Sequence, residues 1–302
     1  MSGKLITIQK RIKSTKNTKK ITKAMQLEAS SKMKKLQNKA VSSREYTQGL
    51  LSILKNTTAE DEETGVFNQI RETGKTVFIL YSSDKGLCGG LNSRIINTLL
   101  SSMEWKETPE EDRILITIGK KGYDYAMYNK IPVDKSFKAI SEKITLIETL
   151  EIIEVILEYW ISGEAMKVFM ASPHYKSPII FYPQVKSYLP LTNETIKLHL
   201  SPMSDISIKK SEENENDNKP IVIYEPSFSE FKDSITRQII QALFLASFLE
   251  LKASEYSSRM LAMQNATDSA GEIIDTLSLE FNKARQAAIT QEIAEIVAGA
   301  SI

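Results

Sequence analysis

All nine prolines of the 302-residue chain fall between Pro109 and Pro226, so the first hundred residues and the last seventy-six contain none. A proline inside a helix costs roughly 3 kcal/mol. Two long proline-free flanks around a proline-bearing middle therefore predict two long helices with a separate domain between them. Glycine agrees: Gly49 is the only one between Lys4 and Asn56, and Gly271 the only one between Ser227 and Ala298. The expected division is an N-terminal helix over 1–56, an α/β domain over 57–226 and a C-terminal helix with a projecting tail over 227–302.

The C-terminal flank carries a 3.5-residue apolar period. Alternating steps of four and three run from Ile235 through Ile239, Ala242, Ala246, Leu249, Ala253, Tyr256, Met260 and Met263. They continue through Thr267, Ala270, Ile274, Leu277, Phe281, Ala284 and Ala288, with Thr267 the only polar member. A period held this long marks a coiled-coil seam, and its alanines admit a close partner. About 72 residues at ~1.5 Å each give a helix of about 108 Å.

The N-terminal flank is less regular. Leu5, Ile8 and Ile12 set a stripe that Ile21, Met25, Ala29, Met33, Leu36 and Ala40 resume, while Lys13 to Lys20 has no apolar residue. Its ~53 residues would span about 80 Å. Helices leaving one domain bury their seams most simply against each other, as an antiparallel coiled coil. If both start near that domain, the longer overshoots by roughly 28 Å. A bare end rich in Ala287, Ala288, Ile289, Ile293, Ala294, Ile296 and Val297 then needs a sleeve from other chains.

In the middle, Thr76–Ser82 and Arg113–Gly119 are short β-rich runs, each followed by a helix-like segment. Ile144–Trp160 reads as an amphipathic helix, and Val168–Ala171, Ile179–Val185 and Ile221–Tyr224 as further strands. Such alternation suggests an α/β layer with a partly parallel sheet. The run Ser211–Lys219 is a solvated loop by composition.

Chemistry-bearing patterns are sparse. Asp84 to Asn92 is a glycine-rich stretch between a strand and a helix, where phosphate is often cradled. It lacks P-loop spacing, and a tight turn accounts for Gly89-Gly90 equally well. His174 and His199 are the only histidines and Cys88 the only cysteine, so no metal cluster, catalytic constellation or internal disulfide is expected. The longest mostly apolar run, Ile239–Leu249, is too short to span a bilayer. No signal peptide is read, and the basic, Ser/Thr-rich start is taken as part of the mature helix rather than a transit peptide.

Charge is the strongest remaining signal. Residues 1–40 hold twelve Lys and Arg and one acid, Glu28, whereas the helix from Phe228 carries ten acids against six bases. Such basic density can mark nucleic-acid binding, and a basic coiled-coil nucleic-acid-associated protein is the alternative reading. The positives spread around the helix, however, and no aromatic residue is interleaved for stacking. An acidic protein surface around the helix explains the charge as well.

Several motifs together resemble the gamma subunits of F-type ATP synthases. They are Lys20-Ile-Thr-Lys-Ala-Met25 with Ala29-Ser-Ser-Lys-Met33, the loop Ser83–Asn92, and Glu255 through Arg259-Met260 to Met263. Ala266-Thr-Asp268, Asn282–Ala287 and Ile289–Val297 complete the set. The resemblance implies a non-catalytic rotating central-stalk subunit, without catalytic, cofactor or metal residues of its own. It would transmit torque between a membrane rotor ring and a ring of alpha and beta subunits during proton-driven ATP synthesis. It further implies an epsilon partner, no nucleic acid, and a peripheral position on the cytoplasmic face of a bacterial plasma membrane. By motif match, Lys20, Lys23 and Met25 face the moving part of a beta subunit, with Arg259 across from them. Gln286, Thr290 and Glu292 fall where the family tail meets a catalytic loop.

Overall fold

The computed structural model describes residues 2–57, 65–141, 144, 146–200 and 227–299. Helix α1 spans Ser2–Thr57 and the last helix, α7, spans Phe228–Gly299, 56 and 72 residues respectively. Between them lies a sheet domain, so two long terminal helices do flank a central α/β layer. The chain forms two compact units: residues 1–33, 87–89 and 256–302 make the first, and residues 34–86 and 90–255 the second.

The second unit is built on five strands: β1 (Lys75–Tyr81), β2 (Arg113–Ile118), β3 (Lys135–Phe137), β4 (Ala165–Tyr175) and β5 (Phe181–Leu189). Their order is β3-β2-β1-β4-β5. The first four pair in parallel, and β5 joins β4 antiparallel. Central β1 explains why its sequence reads TVFILY without alternation: Val77 through Tyr81 are all buried, as expected for a strand covered on both faces. Helices α2 (Leu91–Ser101), α3 (Met103–Glu107), α4 (Lys120–Tyr128) and α5 (Leu146–Ile161) provide the crossovers, and α6 (Asn193–Leu200) follows β5. In α5, Ile152, Ile153, Ile156, Leu157 and Trp160 form the buried stripe.

One expectation needs adjusting. The strand expected at Ile179–Val185 lies later, at Phe181–Leu189, because Ser177–Ile180 forms the tight turn that reverses the chain. Pro183 is tolerated there because β5 is an edge strand, and it faces Pro173 of β4. The three-residue β3 was not anticipated, being too short to carry a pattern. The proposed strand Ile221–Tyr224 and loop Ser211–Lys219 lie outside the described residues.

Within this unit α7 is buried on nearly every side from Ile239 to Glu255, including Glu250, Lys252 and Ser254. Two buried tyrosines anchor it: Tyr188 donates to the Ile240 carbonyl at 2.6 Å and Tyr81 to that of Phe244 at 3.4 Å. Burial pushes both phenols well above their usual pKa, so they stay protonated donors.

Candidate functional site

In the first unit the two helices pair antiparallel. Lys19 lies beside Gly271, Thr22 beside Thr267 and Lys32 beside Tyr256, so one helix ascends as the other descends. From Met263 on, the buried and half-buried positions of α7 are Met263, Thr267, Ala270, Ile274, Leu277, Phe281, Ala284 and Ala288, with Ala266, Gly271 and Ser278 alongside. The Thr267 hydroxyl sits 2.8 Å from that of Thr22 and 2.7 Å from the Met263 carbonyl. Polar seam positions are thus matched to each other and to backbone, which satisfies them at small helix separation.

One stripe expectation fails here. Ile21 is 60% exposed, while its neighbour Thr22 is 9% exposed and occupies the seam. Helical geometry admits only one of two adjacent residues to a narrow stripe, and Thr267 selects the one with a hydroxyl. Thr15, half-buried, carries the stripe through the lysine-rich stretch that has no apolar residue.

Continuing this register places Ser2 level with Ala287. The twelve residues from Ala288 to Gly299 therefore extend beyond α1, a bare length of about 18 Å rather than 28 Å. Part of the shortfall arises because α1 is 56 residues long rather than ~53. Ala288 is the last buried residue, after which Ile289, Ile293, Ile296 and Val297 are 47%, 56%, 71% and 60% exposed.

The seven partner-contact candidates separate by accessibility. Lys20 and Lys23 are exposed on α1, with Lys23 Nζ reaching Gln26 Oε1 at 3.1 Å. Met25, two residues on, is half-buried. Gln286, Thr290 and Glu292 are exposed near the bare end, and the Thr290 hydroxyl donates back to the Gln286 carbonyl at 3.0 Å. Arg259 is buried, its guanidinium 5.1 Å above the Tyr256 ring, with Lys32 Nζ 5.2 Å from the same ring. That tyrosine is thus shared by two cations. Of the seam candidates, Tyr256 and Leu277 are buried with Met263, while Met260, Ile274 and Phe281 are half-buried. Ile235, Ile239 and Leu249 are buried in the sheet unit.

Charge divides this unit. Residues 2–33 of α1 carry nine bases and one acid, residues 256–299 of α7 six acids and three bases. A groove on the α1 side is lined by Lys10, Lys13, Lys16, Lys20 and Lys23 around the apolar Ile6 and Leu27. Both apolar residues are exposed, which suits a partner rather than water alone.

The glycine-rich loop after β1 sits at the sheet's switch point, where β2 and β4 leave on opposite sides and open α/β sheets bind ligands. Here that position is filled by the chain itself. Asp84 accepts backbone N–H groups from Lys120 at 3.0 Å and Ala139 at 2.9 Å, and Lys252 of α7 approaches its other oxygen at 3.8 Å. Asn92 ties Ser83 at both backbone and hydroxyl. Gly119 is held at φ +96° with an added Cβ only 2.0 Å from the Ser82 carbonyl oxygen, so glycine is obligatory there. These bonds make the segment a locked turn. Among the described residues no group of His, Cys, Asp and Glu is placed to hold a metal, and no helix is long and apolar enough to cross a membrane.

The sequence singled out none of the buried charge network around Glu250. Its carboxylate accepts from Arg44 Nε at 2.8 Å, the Tyr175 amide at 2.9 Å and His174 Nδ1 at 3.1 Å. Burial pushes the Glu250 pKa up, but His174 and Arg44 more than offset it and leave it below the usual carboxylate range.

Two long helices flanking a partly parallel five-stranded sheet, with a two-helix seam, define a class of helix-flanked α/β proteins. The chain belongs to the ATP synthase gamma chain family. The ATP synthase family profile matches residues 4–302. The ATP synthase gamma chain of Clostridium kluyveri is 35% identical over 98% of this chain and 97% of its own length. That of Staphylococcus saprophyticus is 32% identical over 98% of both. The fold is shared with a chain in the rotor of the Euglena gracilis mitochondrial ATP synthase, at a TM-score of 0.63 and 14% identity, over 96% of this chain and all of that one.

Proposed function

We propose that the chain is the rotating central-stalk subunit of an F-type ATP synthase and that it works by contact energy, with no active site or cofactor of its own. The bare end of α7 carries this reading. Four exposed branched apolar residues on the part of α7 that extends beyond α1 call for an apolar collar from other chains. The alpha and beta subunits would supply that collar, and epsilon and the membrane rotor ring would bind elsewhere on the chain. As part of that complex it would lie on the cytoplasmic face of a bacterial plasma membrane and serve proton-driven synthesis.

The charge division gives the coupling a physical basis. Three identical catalytic subunits around a pair that is basic on one helix and acidic on the other each meet a different face. Each is biased toward a different conformation, and turning the pair moves the bias around the ring. A ligand or partner shifts a conformational equilibrium only by its differential contact energy with the two states, and this asymmetry supplies it. Lys20, Lys23 and Met25 would face the moving part of one beta subunit, with Arg259 acting through Tyr256. Gln286, Thr290 and Glu292 would meet a catalytic loop.

Truncation after Arg285 tests this. It removes the bare end and should weaken assembly or coupling of ATP hydrolysis to proton pumping, while the sheet unit stays folded by tryptophan fluorescence. A fully coupled complex after that deletion would contradict the collar.

A further inference from the structure

A polar cavity of about 170 Å³ lies inside the sheet unit, between α1, β4, β5 and α7. Arg44, His174, Gln184, Lys186, His199 and Glu250 contribute its polar lining. Glu250 is fully engaged by Arg44, His174 and the Tyr175 amide, and Arg44 also donates to the Tyr175 carbonyl at 2.7 Å. His199 Nε2 lies 2.7 Å from the Ser187 carbonyl, so that nitrogen carries the proton. Burial lowers the His199 pKa to about 4, with Lys186 acting in the same direction, so the ring is neutral at pH 7.

Two groups remain. The Lys186 ammonium has no hydrogen bond or ion pair among the described residues, although burial lowers its pKa against the pull of Glu250. Gln184 Oε1 is buried with no hydrogen-bond partner. The two residues are i and i+2 on β5 and so share a face. The cavity thus holds two cationic side chains against one carboxylate, together with an orphaned amide. Half a turn of that amide presents its N–H donors instead of its oxygen. Lys186 is half-buried; charges withdrawn from water are ordinarily paired, and an anion would pair this one.

We propose that the cavity is a binding site for a small tetrahedral oxyanion of the size and charge of inorganic phosphate, held by Lys186, Arg44 and the Gln184 amide. Its volume admits such an ion with a few waters and lies below the roughly 300 Å³ at which pockets for larger organic ligands begin. The occupant is therefore a free oxyanion rather than the phosphate of a nucleotide. Because it would bridge β5 to α1, binding should stabilise the folded unit by mass action.

The test is calorimetric titration of the full chain with inorganic phosphate at constant ionic strength, with chloride as the matched control. We expect one phosphate per chain, and binding at least tenfold weaker in Lys186→Met than in the unaltered chain. Lys186→Arg, which keeps the charge, should retain it. Lys186→Met should also melt no lower than the parent without phosphate, since it removes an unpaired, half-buried charge. No phosphate uptake beyond chloride, an adventitious ion only, or undiminished uptake by Lys186→Met would overturn the site. So would a Lys186→Met chain that fails to fold, or tighter binding of adenosine diphosphate than of phosphate.

Discussion

One helix behaves in two ways along its length. Between Ile239 and Glu255, inside the sheet unit, α7 is buried on almost every face, and its charged residues find fixed partners. Between Met263 and Ala288, in the helix pair, burial narrows to one stripe at three- and four-residue steps. The only buried polar side chain there is Thr267. A partner on one side asks only for a periodic seam, which many sequences satisfy. A surround on all sides asks for particular side chains in particular places. The helix pair should therefore tolerate substitution outside its stripe, and the surrounded region should not.

The largest expected effect lies in the surrounded region. Glu250→Ala leaves Arg44 and His174 without their carboxylate and should cost about 3–5 kcal/mol, as breaking one side of a buried ion pair does. Both tryptophans, Trp105 and Trp160, are buried in the sheet unit, so urea denaturation followed by their fluorescence reads that unit alone. A loss under 1 kcal/mol would erase the contrast.

Acid should act on the same region. The folded-state pKa of His199 is about 4, below its ordinary value of 6.5, so the unfolded chain takes up that proton first. Its contribution is complete above about pH 6.5 and is lost as pH falls toward 4, amounting to about 3 kcal/mol. His199→Gln should flatten the stability profile in that window, and an unchanged slope would remove the buried neutral ring from the account.

In the helix pair, Leu277→Ala should cost about 2–3 kcal/mol. The loss should appear as faster amide exchange over 256–285, with tryptophan fluorescence unmoved. The smallest effect is expected for joint Thr22→Val and Thr267→Val. Replacing both partners of a buried hydrogen bond by apolar groups of similar shape is nearly neutral, within about 1 kcal/mol. A larger loss would mean that the threonine pair, rather than the apolar stripe, sets the register.

The same contrast explains what could be read from the sequence. The proline-free flanks, the apolar runs of β1 and β2, the helix α5 and the seam from Met263 onward follow from local rules of period and backbone geometry. Thr22 in the seam instead of Ile21 did not, because the choice was made by Thr267, 245 residues away. Glu250, Arg44 and His174 come from three different elements, and no spacing announces their meeting. The bare tail was legible in kind, as an apolar end that outruns the shorter helix. Its length was not, since that depends on the register and on where α1 stops. Lys20, Lys23 and the tail residues were named through resemblance alone, because an exposed lysine on a helix carries no local mark of a partner.

The central claim is that this chain turns within a ring of other subunits. Cys88 is buried and Tyr128 is 88% exposed, so Tyr128→Cys offers a selective attachment point for a bead on a complex fixed by its catalytic subunits. On adding ATP, the bead should rotate in one direction with three stations per turn. A bead that stays still while the same complexes hydrolyse ATP would contradict the account.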